Sequence, residues 1–190
     1  MTDESFLNEN TQSHKLILVH EDTTPQQIKR GRKSLRLVFT SSHEEADIIL
    51  TKHAVICSRE PNSNVRVISD DTDVFALLCY YYEKEGITTP MAMVSLIEGR
   101  LAYNIKATVQ NNNLLVPKIL AIHALTGCDT VPASYGIGKA SAITAASKHS
   151  FVKIGRIQST IPEIEEAKNF MVTCSGSKPC QSVTECRHRI

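Results

Sequence analysis

The sequence predicts an α/β protein: three layers around a mainly parallel sheet, followed by a helical C-terminal part. Three observations carry this reading. Short aliphatic runs alternate with longer helix-compatible stretches as far as Leu125, the pattern of βαβ units. Beyond Gly127 only helix-compatible segments follow. Hydrophobic residues make up 42% and charged residues 22% of the 190, which supplies a core and excludes wholesale disorder.

Residues 1–14 are a polar, acidic tail predicted to be disordered, and they exclude a secretory signal peptide. KLILV, 15–19, reads as a strand, EDTTPQQ as a turn, and SLRLVF, 34–39, as a second strand. Between them lies the basic segment KRGRK, 29–33. Ser42-x-x-Glu45 matches a capping box and predicts a helix running to about Cys57. VRVIS, 65–69, is a bounded β-branched strand. Asp70-Asp71-Thr72-Asp73 then offers caps to the helix VFALLCYYYEKE. MAMVSLI and LAYNI flank Glu98-Gly99-Arg100 as a hairpin. LLVPKILAIHAL, 114–125, reads as a buried helix with Pro117 in its first turn. Further helices are expected over about 138–148, 162–173 and from 182 onward; the last stops after roughly two turns, as in a fragment.

The net charge of +1 excludes a globally basic coat, so any polyanion site must be local. No apolar run reaches the roughly 18 residues a membrane span needs. Six cysteines are too few for a disulfide scaffold and point to a reducing compartment, nuclear or cytoplasmic.

Two constellations could carry chemistry. The first is acidic: Glu44, Glu45 and Asp47 at a helix start, Asp70, Asp71 and Asp73 at a strand's C-terminal end, and Asp129 after the buried helix. Open α/β sheets bind ligands at that end of their strands. Carboxylates brought together repel unless cations sit among them, and hard oxygen donors suit Mg²⁺ or Mn²⁺. Taken singly, each cluster reads first as an ordinary helix cap; only convergence in the fold makes a site. The second constellation is Gly136-Ile137-Gly138-Lys139, which opens a helix seven residues after Asp129. Glycine lets backbone approach a phosphate, the free N–H groups of the helix point at it, and Lys139 adds a charge. A lone Gly-x-Gly is also a plain turn.

Glu45-Ala46-Asp47, Asp70-Asp71-Thr72-Asp73, Leu125-Thr126-Gly127-Cys128-Asp129 and Gly136-Ile137-Gly138, in that order, resemble the flap endonuclease family of the PIN-like nuclease superfamily. The chain is more closely similar to uncharacterised animal proteins, many from mobile elements, that read EEAD, DDTD and ALTGCDT. The resemblance covers about residues 15–190. It implies a PIN-like nuclease domain over 15–127 and a helical region over 128–190 containing a Gly-Ile-Gly-Lys helix–turn–helix. It implies that Glu45, Asp47, Asp71, Asp73 and Asp129 are catalytic metal ligands for two divalent ions, Mg²⁺ or Mn²⁺. One ion would activate a water and the other would stabilise the leaving 3′ oxygen of a phosphodiester. Gly136, Gly138 and Lys139 would hold duplex phosphates away from the cut, with DNA the expected partner ahead of RNA. Glu44 and Asp70 have no counterpart.

The family's first strand carries an Asp, and a long helical arch precedes its E-A-E motif. Neither is present here, so the resemblance implies that the N-terminal strand and arch are missing. A metal-dependent endonuclease and a catalytically inactive module that binds nucleic acid or protein therefore both stand as readings. Among smaller signals, KRGRK with Arg36 puts five basic residues in eight, either a nucleic-acid contact, a nuclear localisation patch or a solvated loop. Cys174, Cys180 and Cys186 are spaced too widely for a usual zinc site. His123, on an apolar helix, reads as a core histidine, and Tyr80-Tyr81-Tyr82 as packing.

Overall fold

The structure, a computed structural model, describes residues 16–20, 23–30, 32–40, 45–128, 131–133, 136–148, 153 and 161–174. It is a mixed α/β arrangement with two small sheets. Strands β1 (Leu16–His20), β2 (Thr23–Lys29) and β3 (Arg32–Leu35) form an antiparallel meander in that order. Strands β4 (Val65–Ile68), β5 (Met91–Val94) and β6 (Tyr103–Asn104) form the second sheet, with β4 and β5 parallel and β5 and β6 antiparallel. The expectation of a mainly parallel sheet is thus not met among the described strands: the β4–β5 pair is parallel, and every other pairing is antiparallel.

The second sheet is the frame of the molecule. Val65 and Val67 of β4 and Met91 and Met93 of β5 alternate inward, as a half-buried strand requires. Parallel pairing needs a crossover, supplied by helix α2 (Thr72–Lys84). Asp71 caps it: its side chain accepts from the Asp73 N–H at 2.8 Å. Val74, Leu78, Cys79 and Tyr82 of α2 join Val65, Val67, Met91 and Met93 in one core. Helix α1 (Ala46–Ser58) packs on α2 and β4 and contributes Ala54. Tyr82 is buried and donates its hydroxyl to the Thr89 carbonyl at 2.9 Å, whereas Tyr80 and Tyr81 pack edge to face. The tyrosine triplet packs, as read.

The chain then departs from expectation in three places. EDTTPQQ holds most of strand β2, not a turn: Thr24 and Pro25 face Val19 across a bulge between Leu18 and His20, where a proline costs no ladder bond. SLRLVF leaves the strand after Leu35, because Arg36 departs from extended geometry and Leu37–Phe39 turns as a 3-10 helix that drops Phe39 into a buried site against His53. The hairpin about Glu98-Gly99-Arg100 has shorter strands and a wider connection than read: β5 ends at Val94, β6 is two residues long, and Ile105 begins helix α3 (Ile105–Asn111), capped by Asn104 onto the Ala107 N–H.

A 3-10 turn, Val116–Lys118, carries Pro117 and leads into α4 (Ile119–Leu125). Helices α5 (Lys139–Lys148) and α6 (Ile161–Cys174) follow, close to the expected bounds. Ile122, Ala142, Ala145, Ala146, Phe170 and Cys174 from these three helices form a second, smaller core. Burial pushes the Cys174 thiol up to about 11, which suits an inert packed thiol. Cys180, Cys186 and the helix expected from 182 onward lie outside the described residues. No helix among the described residues is long and apolar enough to cross a membrane.

Candidate metal centre

The end of β4 and the starts of two helices meet at one place. Asp71 and Asp73 follow β4 directly and open α2, while Asp47 lies in the first turn of α1. Carboxylates at helix N-termini are favoured by the macrodipole, so each acid has a local reason to be there. Packing α1 beside β4 then adds what no single cap supplies. One carboxylate oxygen from each of Asp47, Asp71 and Asp73 lies within 4.8 Å of the other two. Asp47 and Asp73 are half-buried. Three anionic oxygens this close, drawn from two helices, form an all-oxygen donor set of the kind that hard divalent cations occupy.

Of the five acids, one falls outside this group and one lies outside the described residues. Glu45 is the N-cap residue of α1, is exposed, and does not join the three aspartates. Its side chain makes no capping bond, and the capping box is corrected accordingly: the helix opens at Ala46 with Glu45 as cap, while Ser42 lies outside the described residues. Asp129 and Glu44 also lie outside them. Asp70 is turned to another task. Its carboxylate accepts from Arg100 at 2.7 Å, and the Ser95 hydroxyl and Arg100 together hold it below its usual range.

His123 is the residue that sequence reasoning undervalued. Its Nε2 lies 2.6 Å from Asp73 Oδ1, with the two side chains only 13% and 23% exposed. It is not a plain core histidine: α4 carries it across α2 to fix one oxygen of a cluster aspartate. The available signal was that it is the lone ring nitrogen donor on an otherwise apolar helix.

Lys139 reaches the same place. Its Nζ donates to Thr72 Oγ1 at 3.0 Å, on the residue between Asp71 and Asp73. The described lysine therefore stands beside the acids and not away from them. Gly136 adopts φ 75, the left-handed region that favours glycine. Gly138 has no such requirement, and a Cβ built there meets nothing within 4 Å, so its backbone is open to an approaching group. Gly127, ahead of this loop, is the demanding glycine: at φ 101 a Cβ would lie 2.6 Å from the Ala133 Cα. That contact, with the Cys128–Val131 bridge, folds the loop tightly after α4.

No family model, no curated protein and no solved structure matches the chain.

Proposed function

We propose that the chain is a metal-dependent nuclease of the flap endonuclease-like, PIN-like group, hydrolysing phosphodiester bonds of DNA or RNA. The observation that carries this reading is the convergence of Asp47, Asp71 and Asp73 at the C-terminal end of a parallel strand. Scattered caps have no reason to share a volume that small, because like charges there repel. Asp47, Asp71 and Asp73 would hold a divalent ion, Mg²⁺ or Mn²⁺, which when bound supplies water activation and charge stabilisation at phosphorus. His123 orients the Asp73 carboxylate, and Lys139 sets a positive charge where a scissile or flanking phosphate must pass. The open backbone at Gly138 admits that phosphate to the start of α5.

A second reading, a catalytically inactive module that binds nucleic acid or protein, is favoured by one observation. The strands ahead of β4 form a separate meander that does not pair with it, and among the described residues no fourth acid joins the three aspartates.

One experiment tests the metal and a second separates the readings. Saturating Mg²⁺ or Mn²⁺ should raise the melting temperature, by about 2.7 kcal/mol of stability at a hundredfold excess over Kd. Asp71→Asn with Asp73→Asn should abolish that gain while keeping a competent N-cap, since Asn caps as well as Asp. An unchanged metal response in the double variant reduces the acids to helix caps. Metal-dependent cleavage of labelled DNA or RNA that the double variant loses supports the nuclease; binding without cleavage supports the inactive module.

A further inference from the structure

The hairpin between β2 and β3 is a cationic ribbon that the acidic pocket does not use. Lys29, Arg30, Arg32 and Lys33 are all exposed. Among the described residues none of the four makes an ion pair, whereas Arg36, next along, is tied to Glu60 at 3.0 Å. Lys29 and Arg32 are direct cross-strand partners, so two like charges stand opposite each other on one face of the pleat. Lys33 pairs with Ile28, whose side chain is buried at 1% exposed, so the ribbon is anchored on its other face. Arg30 adopts φ 50 at the tip, a left-handed position that Gly or Asn takes at less cost. The chain thus accepts repulsion across the ladder and strain at the turn in order to present four cations at the end of a fixed hairpin. In a protein of net charge +1, that concentration is local.

We propose that this ribbon is a docking surface for the phosphate backbone of duplex DNA. The inference rests on the nuclease reading for the identity of the polyanion and on nothing else in the acidic pocket. Among the described residues β1 pairs with β2 no further than Leu16–Ile28, so the tip carrying Lys29, Arg30 and Arg32 is a two-stranded ribbon. With strands about 4.8 Å apart, such a tip is narrow enough for the major groove of B-form DNA, roughly 12 Å wide. The deep, narrow major groove of duplex RNA does not admit it.

The test is the salt dependence of binding of a short labelled DNA duplex to the full chain, without divalent metal. Lys29→Gln with Arg32→Gln should make the slope of log K against log salt shallower by about two units, one per phosphate no longer neutralised. The variant should melt no lower than wild type, because a repulsive pair has been removed. Arg30→Gln with Lys33→Gln, which leaves that pair in place, should also flatten the slope. Lys29→Gln with Arg32→Gln should keep the wild-type rise in melting temperature with Mg²⁺, so loss of the metal response and loss of the ribbon are read separately. Equal slopes for wild type and both ribbon variants overturn the proposal. So does tighter binding to a single strand than to the duplex. An unchanged DNA slope with lost binding to a carrier of basic peptides would assign the ribbon to a protein and overturn it as well.

Discussion

The two sheets have three strands each and end in very different places. In the second sheet, Val65, Val67, Met91 and Met93 alternate inward and meet α2 on the covered face. In the meander, all four residues of β3 are exposed, and Leu35, Leu37 and Val38 stand in solvent. The meander is held on by a few points: Ile28 and Phe39, both nearly fully buried, the Arg36–Glu60 ion pair at 3.0 Å, and the His53 Nε2 to Phe39 carbonyl contact at 3.0 Å. The difference teaches where precision is affordable. Three like charges can be fixed within 4.8 Å only on elements whose backbones a core already holds, and Asp47, Asp71 and Asp73 all stand on α1 or α2. The cations of the hairpin sit at the ends of long side chains that present their charge without such a frame.

Truncating one anchor in each region tests this directly, and carries the largest expected effects. Phe39→Ala should remove about 3–5 kcal/mol and Leu78→Ala about 2–5 kcal/mol, as for other buried large-to-small changes. The losses should be distributed differently. By amide hydrogen exchange, Phe39→Ala should open β1 to β3 and leave Val65–Ile68 and Thr72–Lys84 protected. Leu78→Ala should lower protection throughout the second sheet and the metal response with it. If Phe39→Ala opens α2 as well, the two regions are one cooperative unit and the contrast fails.

Legibility in the sequence follows the same division. β4, α2 and the Asp71–Asp73 pair were readable because a β-branched run, a cap and an apolar helix follow one another without ambiguity, and local and tertiary preferences agree there. The starts of α5 and α6 were readable for similar reasons. The meander was not: Pro25 signals a turn unless the bulge that accommodates it is known, and Phe39 reads as strand until its burial against His53 is seen. Nor could spacing reveal which acids converge. Glu45 is the extended N-cap ahead of the helix and Asp47 stands in its first turn, so one joins the cluster and the other does not. The roles of His123 and Lys139 depend on α4 and α5 crossing the start of α2, a contact between segments 50 and 67 residues apart.

His123 gives the next effect in size and sharpens the comparison from the site side. If a framed cluster owes its affinity to oriented oxygens, releasing one oxygen should weaken metal binding without removing a ligand. His123→Ala should raise the Kd for Mg²⁺ or Mn²⁺ by about tenfold, the low end for partners that orient metal ligands. His123→Gln should recover part of it, because an amide can still donate to Asp73. Calorimetric titration of both variants measures this. Equal affinity for wild type and His123→Ala would show that the core alone holds Asp73 in place.

The smallest expected effect lies at the rim of the frame, where Asp70 and Arg100 join the strand end to the loop carrying Leu96 and Leu101. Both partners are substantially exposed, 39% and 55%, so the pair is screened and little stability rides on it. Its titration is still informative. The Ser95 hydroxyl and the Arg100 guanidinium favour the charged carboxylate and lower its pKa. A carboxyl depressed in the folded state contributes stability that is present above its unfolded value and is lost as pH falls through the folded one. That contribution should therefore be intact at neutral pH and disappear only below about pH 4. Carboxyl-detected NMR of the full chain should find Asp70 titrating below its usual range, and Arg100→Gln or Ser95→Ala should each move it up. An Asp70 that titrates in the usual range in wild type, or that Arg100→Gln leaves where it was, would mean that the loop is not tied to the strand end. The loop carrying Leu96 and Leu101, whose side chains are already as exposed as Leu35 and Leu37 on the meander, would then have no tie to the strand end, and the frame would stop at Val94.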